Sequence, residues 1–307
     1  MGLTAADGHP QQTGVLTPEI WSTKLLVKFY KATTYGAIAN TDYETEVANY
    51  GDQVKIRTTP DITIHDYSKG QSLQTSRPQS NVVTLTIDKA KYWNFLVEDV
   101  DHFQSDIDYM EDWTQEAALK TEESVDSDVN ADIFGSAHAS NSGSNAGVIS
   151  TNINLGATGA ELLLNKGNVI DHMADMELVF NEQEVPEWDR WWVIPSWFTK
   201  LVRTSDAVNA EMLGDATSMI RGRRRIGELY GFTFYRSNQL STAVDGGNTV
   251  THSLAGQRKA LSFASQFTQT QLLTTENHMG HKCRGLYVFG YDVLKAEALA
   301  DDYVREG

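Results

Sequence analysis

Residues 104–134 read QSDIDYMEDWTQEAALKTEESVDSDVNADIF. Ile107, Met110, Thr114, Ala117 and Thr121 recur at steps of three and four, and Val125 and Val129 continue the stripe with a one-residue drift. That is the period of one helix face. No proline or glycine interrupts it before Gly135, a residue suited to stopping a helix. The spacing predicts one helix over residues 104–134, a rod of roughly 45 Å at about 1.5 Å per residue. Its stripe is narrow, and its residues are small or β-branched. The helix is therefore expected along a surface rather than inside a core, held by neighbours. Residues 97–132 also hold thirteen carboxylates and a single cation, Lys120.

On the N-terminal side, WNFLVEDV (93–100) is expected as a strand leading into this helix. Before it, Val54 and Ile56, then Ile62 and Ile64, then Val83, Leu85 and Ile87 alternate with polar residues, as in strands with one covered face. Between them HDYSKGQSLQTSRPQSN (65–81) has almost nothing to bury. The pattern is that of a long two-stranded ribbon with a wide tip. A lone ribbon is marginal in water, so it is expected to rest on something else, another chain or its own domain. Residues 1–18 form a polar arm. TPEIWSTKLLVKFYKAT (17–33) is expected as a helix capped by Thr17, with Pro18 at its first position, Ile20, Trp21, Leu25 and Phe29 on one side, and Gly36 closing it.

On the C-terminal side, SAHASNSGSNAG (136–147) has the composition of a mobile loop and is the expected domain boundary. An amphipathic helix over 160–180 is expected next, with Leu162, Val169, Met173 and Phe180 inward. RWWVIP (190–195) follows as a buried strand, with Ser196 capping a short helix. Phe232, Phe234 and Tyr235 mark a further strand and Ser237-Asn238 a turn. Residues 242–251 look like a turn-rich loop. Short strands are expected at 261–264 and 271–273, a strand broken at Gly290 over 284–294, and a short polar helix at KAEALADDY (295–303). There is no internal repeat. The mixture places the chain in the α+β class.

At 307 residues with 40% hydrophobic residues, the chain has the material for one large domain or two ordinary ones. Its single cysteine, Cys283, excludes an intrachain disulfide framework and fits a reducing compartment. Residues 1–12 are polar and carry no secretory signal, and no run reaches the ~20 apolar residues that cross a bilayer. A soluble protein in cytoplasm-like conditions is expected. The net charge of −16 argues against a protein whose main task is gripping phosphates.

Several constellations have residue types that can carry chemistry. Asp99, Asp101, Asp106 and Asp108 gather where the long helix should begin. There the macrodipole favours anions, and their spacing lacks the glycine and terminal glutamate of a calcium loop. His278, His281 and Cys283 have loose metal-ligand spacing without a second pair to close a tetrahedral site. Four tryptophans, Trp188, Trp191, Trp192 and Trp197, fall within ten residues; such a cluster is core or subunit interface more often than a stacking platform. Arg221, Arg223, Arg224 and Arg225 form the one basic cluster, set for pairing with carboxylates of a neighbouring chain in preference to phosphate. No nucleophile elbow, phosphate loop, dinucleotide fingerprint or H-E-x-x-H is present. No catalytic residue, cofactor or metal is therefore assigned. The candidate contact residues are Lys69 and Arg77 near the ribbon tip, Trp191 and Trp192, and the four arginines.

The order of parts, and the segments LTPEIWSTKLL (16–26), YGDQVKIRTTPDITIHDYSKGQ (50–71), LTIDKAKYWNFLVEDVDHFQSD (85–106), RRIGELYGFTFYRSNQL (224–240) and RGLYVFGYDVLKAEALA (284–300), carry a resemblance. The chain resembles the major capsid proteins of tailed double-stranded DNA phages, with segments similar to the phage N4-type branch. The resemblance implies the Hong Kong 97 phage capsid fold: an N-terminal arm and first helix over 1–50, an extended β-hairpin loop over 51–92, a peripheral domain with the long spine helix over 93–146, an axial domain over 147–275, and a C-terminal return to the peripheral domain over 276–307. It implies a structural virion protein assembling as hexamers and pentamers into an icosahedral head, with scaffolding, portal and decoration proteins as partners and double-stranded DNA only non-specifically contained. An encapsulin-like cargo shell shares the fold class, and a cytosolic acidic metal-binding enzyme is the rival of a different class. Some relatives crosslink their loop through a lysine. Lys69 sits at the tip here, but the surrounding residues supply no such chemistry, and no crosslink is expected.

Overall fold

The computed structural model of the chain describes residues 33–43, 53–60, 62–80, 82–98, 109–205, 225–275 and 279–307. The arm, the helix expected over 17–33, the four aspartates between 99 and 108, Arg221, Arg223, Arg224 and His278 lie outside them. The described strands form a two-stranded ribbon, a three-stranded sheet and a seven-stranded sheet.

The long helix is α2, Tyr109–Asp132, and it runs into a 3-10 turn at Ile133–Ser136, so it stops near Gly135 as expected. Its burial differs from the expectation. Val125, Val129 and Ile133 are buried in the main core, together with Asp126 and Asn130. Only the N-terminal half lies along the surface, with Trp113 and Leu119 exposed. Gly36 does not close a helix; it lies inside the short helix α1, Tyr35–Ile38.

α2 crosses one face of the three-stranded antiparallel sheet, whose order is β10-β11-β3. These strands are β3 (Lys89–Glu98), β10 (Leu261–Thr274) and β11 (Gly280–Val293). The two short strands expected at 261–264 and 271–273 are one continuous strand with a bulge between Ser265 and Phe267. Gly290 lies within β11 and does not break it. Trp93 and Phe95 stack on the α2 side, and Phe95 meets Trp113 of α2 edge-on at 5.6 Å.

The seven-stranded sheet has the order β4-β12-β9-β5-β7-β6, with β8 paired to β9. Its strands are β4 (Leu162–Leu164), β5 (Arg190–Ile194), β6 (Arg225–Leu229), β7 (Phe232–Arg236), β8 (Thr242–Asp245), β9 (Asn248–Gln257) and β12 (Leu299–Glu306). β5 is central and buried at every position, which its apolar run requires. Helices α3 (Val169–Glu182) and α4 (Ser196–Thr204) pack against the sheet through Met173, Phe180 and Phe198.

Five expectations are corrected here. The helix expected over 160–180 starts only at Val169, because β4 and an Asn165–Asn168 turn precede it. The turn-rich loop at 242–251 is the β8–β9 hairpin. The polar helix expected over 295–303 is a 3-10 turn followed by β12, which pairs with β4 on one side and β9 on the other. The C-terminal return is therefore double: β11 joins β3, and β12 enters the large sheet. Finally, the Ser/Asn/Gly stretch at 136–147 is a packed connection. Asn141 is fully buried and donates to the carbonyls of Glu297 (2.7 Å) and Leu299 (3.0 Å). On either side of it, Val125, Val129 and Ile133 belong to the same buried cluster as Trp192 and Phe232. Ser196 does not cap α4 through its side chain; Pro195 holds the cap position.

Candidate assembly surfaces

The ribbon is built from β1 (Gln53–Arg57) and β2 (Val82–Thr86), paired antiparallel from Gln53↔Thr86 to Arg57↔Val82. Opposed residues share a face. Val54 and Ile56 therefore lie with Leu85 and Val83, and this apolar face packs with Ile87 on Ala264 and Val288 of the three-stranded sheet. Gly290 makes the seat possible. A Cβ there would stand 2.1 Å from the Thr86 carbonyl oxygen and 2.8 Å from the Ile87 Cα.

Beyond this base the ribbon has no ladder. Residues 58–60 and 62–80 form no strand, contrary to the alternation at Ile62 and Ile64. Ile64 is 91% exposed and Leu73 78%, and Ile62 and Tyr67 are similarly bare. At the tip the Gln71 N–H donates to the Ser68 carbonyl, and the Ser68 N–H to the Gln71 side chain. Lys69 lies in that turn, and both it and Arg77 are exposed. This much apolar side chain without a covering surface marks an interaction segment.

The N-terminal segment is tied to α2 by one carboxylate. Asp126 Oδ1 accepts from Thr34 N (2.7 Å), Thr34 Oγ1 (2.9 Å) and Tyr35 N (2.9 Å), and Oδ2 accepts from Asn130 (3.2 Å) and Gln239 (3.3 Å). Burial pushes its pKa up, and these donors pull it back. Further along α2, Asp128 pairs with Lys91 at 2.6 Å and Asp132 with Lys89 at 3.1 Å. The Tyr291 hydroxyl, then Lys89, holds Asp132 below the usual carboxylate range. The expected acidic face is thus narrower than the count implied: its C-terminal carboxylates are held by the same chain, whereas Asp112 and Glu122 in the earlier turns remain exposed.

Two expected contact residues are corrected. Trp192 is 0% exposed, donates from Nε1 to Ser253 Oγ at 2.8 Å, and is ringed by Phe198, Phe232, Phe234 and His172. Trp191 is 2% exposed, with its ring against Gly256. Both are core of their own subunit, because β5 is covered on both faces. Arg225 begins β6 opposite Tyr235. Cys283 is buried beside Thr114 Oγ1 at 3.8 Å. Among the described residues no three His, Cys, Asp or Glu side chains converge as a metal site. No described helix is long and apolar enough to cross a membrane.

A set of residues that the sequence did not single out lies on the other face of the three-stranded sheet. Lys282, Arg284 and Leu286 of β11 share it with Tyr92, Asn94 and Leu96 of β3. The signal was the alternation in β11, which an apolar reading of RGLYVFGYDVL obscured.

No protein-family model matches the chain, and no curated protein matches it. Solved structures do. A chain from Mycobacterium phage Che8 is 22% identical with a TM-score of 0.73, covering 93% of this chain and 96% of that one. The capsid structure of the cyanophage P-SCSP1u gives 18% identity and 0.67, covering 95% and 94%. The capsid of Ralstonia phage GP4 gives 12% identity and 0.65, covering 100% and 99%. These likenesses do not distinguish the phage N4-type branch from others. They extend across ribbon, long helix and both larger sheets, and the chain has the Hong Kong 97 phage major capsid fold.

Proposed function

We propose that the chain is the major capsid subunit of a tailed double-stranded DNA phage, a structural virion protein assembling as hexamers and pentamers into the head. One observation carries the reading: the likeness to phage capsid chains spans essentially the whole of both chains, including the bare ribbon that serves no purpose in an isolated subunit. In this reading residues 51–92 are the extended loop and 1–50 the arm and first helix. α2 with the three-stranded sheet is the peripheral domain, and the seven-stranded sheet is the axial domain. The role is assembly, not turnover. Copies of the chain are the principal partner, with scaffolding, portal and decoration proteins beside them and DNA enclosed without sequence-specific contact. Lys69, Arg77 and the arginines at 221, 223, 224 and 225 are contact residues between subunits.

The physical logic is multivalent. Each ribbon gives a modest contact of a heterologous kind, and contacts of that kind close into rings. Several weak contacts per subunit then persist together. Negative-stain microscopy of the expressed chain tests the reading. Closed shells or capsomer sheets are expected, and discrete monomers under all assembly conditions overturn it.

A further inference from the structure

The three-stranded sheet has two faces of different character. Cys283, Gly285 and Tyr287 of β11 point toward α2. Lys282, Arg284 and Leu286 point away from it, opposite Leu96, Asn94 and Tyr92 on β3 and Leu273, Gln271 and Gln269 on β10. The chain's own ribbon covers one end of this outer face, over Val288 and Gly290. No other described segment is packed over the rest. It forms a cleft of about 360 Å³ lined by Tyr92, Asn94, Gln269, Gln271, Lys282 and Arg284. Tyr92 is 80% exposed, and Leu96, Leu273 and Leu286 are also counted among the exposed apolar side chains.

The cations here are set up to receive an anion. Gln271 Oε1 accepts from Arg284 Nε (3.0 Å) and Nη2 (2.6 Å), which fixes the guanidinium; its other N–H groups have no side-chain acceptor among the described residues and can meet an incoming one. Lys282 has no hydrogen-bond or ion-pair partner among the described residues. The described carboxylates of β3 and β11 on this face stand at its two ends, Glu98 opposite Gly280 and Asp292 opposite Ser262 beyond the ribbon seat. On a chain with 41 acidic and 25 basic residues, this is a local reversal of sign.

We propose that this outer face is where a second copy of the chain docks a segment carrying a carboxylate beside an apolar side chain. The proposal rests on the shell reading above. Charge complementarity favours a copy as the occupant: the chain is acidic overall, and this face presents Lys282 and Arg284, whereas Lys89 and Lys91 on the opposite face are already paired with Asp132 and Asp128 of α2. The leucines and Tyr92 require an apolar component, which a nucleic-acid backbone lacks, and the net charge of −16 repels a phosphate polymer. The chain's own ribbon shows that the same face accepts apolar side chains at its other end.

The test mixes nitrogen-14 and nitrogen-15 copies of the full chain, assembles them, and treats them with a zero-length carbodiimide. Lys282 is expected to join a carboxylate of the other isotope, read by mass spectrometry. In parallel, the double variant K282E/R284E, with folding checked by circular dichroism, is expected to raise the concentration needed for assembly by about tenfold or more. The charge-keeping K282R/R284K pair should assemble like the parent. Links of Lys282 confined to its own chain, or no link, overturn the proposal, as does unchanged assembly of the charge-reversed variant. If the parent chain forms no particles, the shell reading itself falls. Particles that form equally well with reversed charges remove this docking face alone.

Discussion

Asp126→Ala cuts the knot that ties residues 33–40 to α2. The carboxylate is fully buried and accepts five hydrogen bonds, three of them from Thr34 and Tyr35 where the N-terminal segment reaches the core. Alanine leaves two backbone N–H groups and a hydroxyl without an acceptor. Each stranded buried donor costs about 1–3 kcal/mol. Asn130 and Gln239 can turn toward each other, and desolvation of the charge is relieved, so the net loss is about 3–5 kcal/mol, in the range for breaking a buried charged contact. Asp126→Asn keeps an acceptor for Thr34 and Tyr35 but turns an NH₂ toward the donors of Asn130 and Gln239. Its cost should be about half as large. The assay is urea unfolding of the unassembled chain followed by circular dichroism, with hydrogen exchange at the Thr34 and Tyr35 amides. Both amides should lose protection in the alanine variant before the large sheet does. An alanine variant within about 0.5 kcal/mol of the parent, with both amides still protected, refutes the reasoning.

Trp192→Ala empties the centre of the seven-stranded core and removes the donor to Ser253 Oγ, which keeps its bond to the Val193 carbonyl; a loss of about 3–5 kcal/mol is expected in thermal or urea unfolding, with Trp192→Phe losing less. Gly290→Ala puts a Cβ against the backbone of Thr86 and Ile87, which cannot rotate away. It should lift the ribbon base at a cost of about 1–3 kcal/mol, seen as raised hydrogen exchange at 82–87 and defective particles under the microscope. Asp132 is held below the ordinary carboxylate range, so its contribution is present above the unfolded-state pKa and is lost as pH falls through its own lowered pKa. The stabilities of the parent and Asp132→Asn should therefore differ near neutrality and converge in acid, as read from unfolding midpoints across pH; a constant offset at every pH would contradict the assigned partners.

The elements legible in the sequence were those whose local pattern and final environment agree. β5 is a run of Trp, Val and Ile, and it lies buried on both faces. The base of the ribbon alternates, and it has one covered face. The elements misread were those that tertiary contacts override. KAEALADDY has helix formers, but Leu299, Ala300, Tyr303 and Val304 are buried when strand-paired between β4 and β9, partners too distant in sequence to signal themselves. The stretch 136–147 looked mobile by composition, yet Asn141 is an interior hydrogen-bonding residue whose acceptors lie near residue 298. The two central tryptophans were visible as a cluster but not as core, since nothing in the sequence says how many layers cover a strand. The docking face on the three-stranded sheet was hidden for the opposite reason: Lys282 and Arg284 are scattered in a chain rich in charge, and only the register of β11 lines them up.

The late pairing of β11 and β12 also sets a clock. β3 must wait for Gly280 before its ladder can form, roughly 180 residues later and about 10–35 s at bacterial synthesis rates of ~5–20 residues per second. The large sheet waits longer still, because β12 fills an interior slot rather than an edge. Until then neither larger sheet is complete, and contacts so distant in sequence form slowly. A partly made chain therefore has no finished surface to offer a neighbour. On the proposed shell reading, this topology delays a chain's entry into the assembling pool until β12 has been made.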